Sequence, residues 1–76
     1  MQELITYIAK NLVDNPESVQ LEERSRGRNY VDLYLHVERE DMGRVIGKGG
    51  RVANAMRSLV RVAAIKQGKR VNLEIR

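Results

Sequence analysis

Seventy-six residues make one domain, 1–76, near the lower size limit for a self-sufficient core, and with no cysteine neither disulfides nor thiolate metal sites can staple it. A single histidine, His36, cannot hold a metal alone, no apolar run is long enough for a transmembrane helix, and no charged-then-apolar leader suggests export. The expectation is a cytoplasmic protein with no metal and no membrane insertion, its core resting on aliphatic packing, with room for help from a partner subunit. The net charge of +4 hides a division: Met1 to Asp41 carries five basic and nine acidic side chains, Met42 to Arg76 nine basic and one acidic. Such a split points to a polyanion on one face.

Leu4, Ile5, Ile8 and Leu12 share one helical stripe, so the spacing predicts a helix over 1–13 assigned to packing. Asp14-Asn15-Pro16 ends it, because the residue before a proline is steered away from α geometry. Residues 18–25 alternate weakly, Val19 and Leu21 against Gln20 and Glu22. Arg24, Arg26, Gly27, Arg28 and Asn29 follow, with Gly27 and Asn29 marking a turn. Those arginines suit contact with nucleic acid and equally suit the blunting of an edge strand.

Residues 30–37 form the clearest strand, with Val31, Leu33, Leu35 and Val37 on one face and Tyr30, Asp32, Tyr34 and His36 on the other. The outward tyrosines invite base stacking, against which stands cross-strand packing or a subunit contact. Glu40 and Asp41 are placed to cap a short helix through Met42, Gly43, Arg44, Val45 and Ile46, and Gly47 to end it in a left-handed or otherwise strained conformation. A second helix is predicted from about Gly50 to Lys66, with Val52, Met56, Leu59, Val60 and Ala63 as its apolar face. Arg51, Asn54, Arg57, Ser58 and Arg61 lie on the opposite arc. After Gln67, Gly68 and Lys69, residues 70–76 alternate again, with Val71, Leu73 and Ile75 inward.

The order is helix, strand, strand, helix, helix, strand. The first two strands should make an antiparallel hairpin, and the third, two helices later, can join in parallel. The result is an α+β domain, a three-stranded mixed sheet with helices on one face.

The chemistry concentrates at Val45-Ile46-Gly47-Lys48-Gly49-Gly50-Arg51-Val52. Glycines let a second backbone approach, and amides opening the next helix suit an anion, with Lys48 and Arg51 adding charge. A phosphate-backbone clamp is the chemical reading. The nucleotide P-loop spacing is absent, and Val52 stands where Gly-x-Gly-x-x-Gly needs glycine. No carboxylate pair, nucleophile–base set or metal cluster accompanies the loop, so neither catalysis nor a cofactor is expected. Double-stranded DNA finds nothing in the helix patterns beyond their charge.

Val45 to Arg57, reading VIGKGGRVANAMR, together with the element order, resembles the K-homology (KH) domain in its type II, prokaryotic form, over essentially the whole chain. The size is most similar to small bacterial single-KH proteins of the KhpA type. The resemblance implies non-catalytic binding of single-stranded RNA, about four nucleotides held with the Gly-x-x-Gly loop on the sugar-phosphate backbone. Carried onto this chain, Gly47, Lys48, Gly49 and Gly50 are the clamp and Arg51 flanks the phosphates. Ile46 lines the groove floor with Val45 nearby, Ala53 faces the groove, and Asn54 and Arg57 complete the RNA-binding set. Gly49 departs from the pattern, since many family members carry a second polar or basic residue there, which implies modest affinity and low selectivity. The resemblance further implies RNA chaperoning or post-transcriptional regulation, a homodimer, a heteromer with a larger KH-containing (Jag/KhpB-like) protein, and effects on cell shape and envelope growth. Val60, Ala64 and Ile65 could offer a subunit contact. The competing reading is a protein-interaction module that has kept a dimer surface and lost RNA binding.

Overall fold

Proline at position 16 stops the first helix where expected. In the computed structural model, which describes residues 2–76, α1 runs over Gln2–Leu12. Met1, the start of the predicted 1–13 span, lies outside the described residues. A 3-10 turn at Pro16–Ser18, which no periodicity signalled, leads into β1 (Gln20–Ser25). Then come β2 (Tyr30–His36), α2 (Met42–Ile46), α3 (Arg51–Lys66) and β3 (Arg70–Ile75). This is the helix-strand-strand-helix-helix-strand order of the type II KH fold, in an α+β architecture.

β2 is the central strand. β1 pairs with it antiparallel, from Gln20 opposite His36 to Ser25 opposite Val31. β3 pairs with its other edge in parallel, from Tyr30 opposite Arg70 to Leu35 opposite Ile75. The parallel pair needs a long crossover, and α2 and α3 supply it. Val31, Leu33 and Leu35 from β2 meet Leu73 from β3, Ile5 and Ala9 from α1, Val45 from α2, and Met56 and Val60 from α3 in one cluster. Ile5, Leu33, Leu35 and Val45 are wholly buried. Full burial of such a side chain stabilises by about 1.5–3 kcal/mol, so these four anchor the layers.

Two helical faces are shifted from the hydropathy reading. On α1, Leu4 is exposed and Ala9 takes its place in the core. On α3, Leu59 is exposed and Ala63 half-buried, while Ala53, Met56, Val60 and Ala64 form the buried face. The cause is the same in both: a helix approaches its neighbour most closely through alanine, whose small side chain carries little weight in a hydropathy pattern.

Two carboxylates also differ from expectation. Asp32 points to the outer face of the sheet yet is buried, because Arg26 folds over it with Nη2 donating to Oδ1 at 3.1 Å. Asp41 stands at the start of α2 but makes no capping bond there. Its buried carboxylate instead accepts from the amides of Asp14 and Asn15, both at 3.1 Å, and from Asn15 Nδ2 at 3.0 Å. Glu40 likewise accepts from Asn15 Nδ2, at 2.6 Å, rather than capping. The chain leaving α1 carries amides without helical acceptors, and these acids satisfy them, tying the end of α1 to the start of α2. Burial pushes the Asp41 carboxyl up, but the Asn15 side chain, the two amides and the Arg44 guanidinium outweigh it and hold the group below its ordinary value. No helix among the described residues is long and apolar enough to cross a membrane.

Candidate functional site

The loop between α2 and α3 is built by its glycines. Gly47 donates its amide to Gly43 O at 2.8 Å, closing α2, and takes φ 75°, ψ 170°. A Cβ there would stand 2.6 Å from Cγ2 of Val52 and 3.0 Å from the Val52 amide nitrogen. Only glycine therefore lets the end of α2 lie against the first turn of α3. Lys48–Gly50 make one 3-10 turn, with the Gly50 amide donating to Gly47 O at 3.1 Å. Gly50 is left-handed at φ 78° and opens α3.

α3 begins without a side-chain cap and without an acid in its first turn, so the positive end of a 16-residue helix stays uncompensated. Lys48 and Arg51 are exposed beside it. Neither has a carboxylate partner among the described residues, whereas Arg44, one turn upstream, is tied to Asp14 at 3.1 Å. Amides at a helix start, two free cations and an open glycine turn together can hold a polyanion backbone.

The predicted site residues divide by burial. Ile46, Lys48, Gly49, Arg51 and Asn54 are exposed, and Gly47, Gly50 and Arg57 half-buried. Val45 is fully buried and belongs to the core beneath the loop. Ala53, placed toward the groove by the sequence, is 2% exposed and packs inward, and Val52 is the half-buried one. The α3 face is rotated from the one expected: Ala53 turns fully inward, and Val52 packs against the core only in part. Arg57 is fixed rather than free: Nη1 donates to Asn54 Oδ1 and Nε to the Leu73 carbonyl, each at 3.1 Å. Its bond joins α3 to β3 across sixteen residues of sequence, which no local pattern could signal.

The tyrosines of the outer sheet face are occupied. Arg26 lies over the Tyr30 ring at 4.3 Å, and Tyr34 is covered by Arg76 at 4.2 Å and Arg24 at 5.3 Å. Arg24 Nε also pairs with Glu22 at 2.8 Å, and His36 Nε2 stands 3.7 Å from that carboxylate. The geometry holds cross-strand packing on this face. Of the suggested subunit-contact residues, Val60 and Ala64 are buried and Ile65 alone is exposed.

The family described as "KhpA/KhpB, KH domain" matches residues 2–75. The chain is similar to the RNA-binding protein KhpA of Caldanaerobacter subterraneus subsp. tengcongensis and to that of Clostridium perfringens, each 52% identical over 75 residues, 99% of either chain. The RNA-binding protein KhpA of Chlamydia trachomatis is 44% identical, covering 99% of this chain and 95% of the relative. No solved structure gives a significant match.

Proposed function

The chain belongs to the KhpA/KhpB KH-domain family, and from that premise we propose that it is a non-catalytic protein that binds single-stranded RNA by closing the Gly47–Gly50 loop on the sugar-phosphate backbone. The observation that carries this reading is the uncapped start of α3, flanked by Lys48 and Arg51, which pair with no carboxylate among the described residues, and reached across a turn that only glycine permits. The relatives' shared designation as RNA-binding proteins supports it. Phosphate oxygens take the amides and cations, Ile46 offers apolar surface to a base, and Asn54 offers a hydrogen-bonding edge. Val45 and Ala53 support the loop from below. With Gly49 where a second cation could stand, affinity is modest and sequence selectivity low.

On the same reading the protein acts in the cytoplasm as an RNA chaperone or post-transcriptional regulator beside a larger KH-containing, KhpB-like partner, with consequences for cell shape and envelope growth. The pairing of names in the family description supports the partner. Leu59, Val62 and Ile65 stand exposed along α3 and favour a second role in self-association. Sedimentation of Val62→Asp tests that role: an unchanged sedimentation coefficient removes it.

The test of the clamp is binding of a short fluorescent single-stranded RNA to the wild type and to Lys48→Asp/Gly49→Asp, with folding followed by circular dichroism. Two carboxylates where phosphate should sit are expected to abolish binding by a folded protein. Equal binding by both proteins places the RNA surface elsewhere.

A further inference from the structure

We propose that the hollow where the C-terminal end of α3 meets the start of β3 is a second contact for single-stranded RNA, receiving the strand as it leaves the Gly47–Gly50 loop. This rests on the RNA-binding reading and lengthens its footprint. The hollow is lined by the cations Arg61, Lys69 and Arg70 over an apolar floor that includes Ala64, Ile65 and Val71.

Three features favour this occupant. The first is charge. Among the described residues none of Arg61, Lys69 and Arg70 is paired with a carboxylate, and the hollow is lined by no acid. Arg24 and Arg26, at the same end of the sheet, are both neutralised.

The second feature is a fixed backbone. α3 ends in a Schellman motif, with the Gly68 amide donating to Ile65 O at 3.0 Å and the Lys69 amide to Ala64 O at 2.9 Å. The left-handed Gly68 at φ 68° makes that turn. The Arg70 amide donates to Asn29 O at 2.7 Å. Lys69 and Arg70 are therefore held over the end of the helix, and only their side chains need ordering on binding.

The third feature is continuity. Asn54, Arg57 and Arg61 recur at i, i+3 and i+7 on the flank of α3 that faces β3, where Arg57 already reaches the Leu73 carbonyl. Asn54 Nδ2 lies 3.7 Å from where a Gly50 Cβ would be, so this flank starts at the loop. From Arg51 to Arg61 the helix rises about 15 Å. A polar path thus links the clamp to the hollow. The pairing of cations with an apolar floor suits a nucleotide, phosphate on the first and sugar or base on the second, better than it suits a free phosphate ion.

The experiment is fluorescence anisotropy with single-stranded RNAs of four and about ten nucleotides, the shorter being what one loop holds. It compares the wild type, R61Q/K69Q and Lys48→Asp/Gly49→Asp. A longer strand offers the loop more registers by itself, so the readout is the difference between proteins at one length. R61Q/K69Q is expected to bind the four-nucleotide RNA as the wild type does. With the longer RNA it should bind roughly 10- to 30-fold more weakly near 0.1 M salt, the loss of about 1.4 released counterions. Wild-type affinity of R61Q/K69Q for the longer RNA overturns the proposal. So does an equal loss at both lengths, or a change of oligomeric state with RNA binding intact. The loop reading fails separately, if Lys48→Asp/Gly49→Asp still binds the short RNA. If the wild type binds neither RNA, both fall.

Discussion

Gly47→Ala tests whether the loop is held by the close approach of α2 to α3. At φ 75°, ψ 170° Gly47 occupies backbone space essentially reserved for glycine. Forcing another residue there costs on the order of 1–3 kcal/mol. The added methyl would lie 2.6 Å from Val52 Cγ2 and 3.0 Å from the Val52 nitrogen. Val52 cannot yield freely, because its backbone opens α3 and its side chain packs on the core, so overpacking adds about 1–3 kcal/mol. Restriction of the unfolded chain returns about 0.4–1 kcal/mol. The net loss is about 1–6 kcal/mol, from a total of about 4–11 for a chain of this length. In urea, with a slope of about 1 kcal/mol per molar, the midpoint by circular dichroism should fall by about 1 M or more, or the variant should be unfolded at the outset. Gly49→Ala is the control. Gly49 is also left-handed, at φ 65°, but a Cβ there meets nothing within 4 Å among the described residues. Its cost is the conformational one alone, about 1–2 kcal/mol before the same offset. A Gly47→Ala midpoint within about 0.5 M of wild type, or equal losses in the two variants, would refute the close-approach reasoning.

RNA binding through the loop should weaken with salt at a log–log slope of roughly −1.4 to −2.8 for two to four phosphate contacts on a short strand, and a slope near zero excludes the clamp. Asp41 stabilises the fold fully above its unfolded-state pKa of about 3.9 and loses that contribution as pH falls through its lower folded value. Asp41→Asn should therefore flatten the acid limb of a circular-dichroism titration below about pH 4, and an unchanged limb removes Asp41 as its source. Leu33→Ala, at the wholly buried centre of β2, should cost about 2–5 kcal/mol in urea unfolding, and a loss below about 1 would mean that the core lies elsewhere. Arg57→Met leaves the Leu73 carbonyl without its donor and should cost about 1–3 kcal/mol, and wild-type stability would show that the bond across α3 and β3 contributes nothing.

β2 and β3 were legible because a period of two survives any neighbour: Val31, Leu33, Leu35 and Leu73 are buried as their alternation requires. The ends of α3 were legible because glycine marks both, Gly50 at its start and Gly68 after its stop. Which face of each helix is buried was less so. Ala9, Ala53 and Ala64 pack where a neighbouring element comes close, and the larger Leu4 and Leu59 stay outside. That choice is made by helix-on-sheet distance, which one helix's own pattern does not contain. Asp32 and Asp41 are burials of the same kind. An acid enters the interior only with partners, and those of Asp41 lie 26 and 27 residues away. At the loop, the positions of the glycines were plain, but the reason for Gly47 was not, since it lies in the Val52 side chain five residues on.

The charge division along the chain becomes a division of labour in space. Among the described residues, the ion-paired carboxylates are Asp14, Glu22, Asp32, Asp41 and Glu74, all but the last from the acidic half. They hold the outer face of the sheet and the junction of α1 with α2. From Met42 onward, among the described residues, only Arg44 and Arg76 have such partners, and Lys48, Arg51, Arg57, Arg61, Lys66, Lys69 and Arg70 have none. Those five acids are thus engaged where the fold needs them, and the field around the loop and along α3 is left uncompensated. Of these cations Arg57 holds α3 to β3, but the others are exposed, repel one another and add little to stability, so their concentration around the loop and along α3 has no structural return. An anion supplied from outside relieves that repulsion. The surface is therefore most favourable when a polyanion backbone lies along it, from Lys48 toward Arg70.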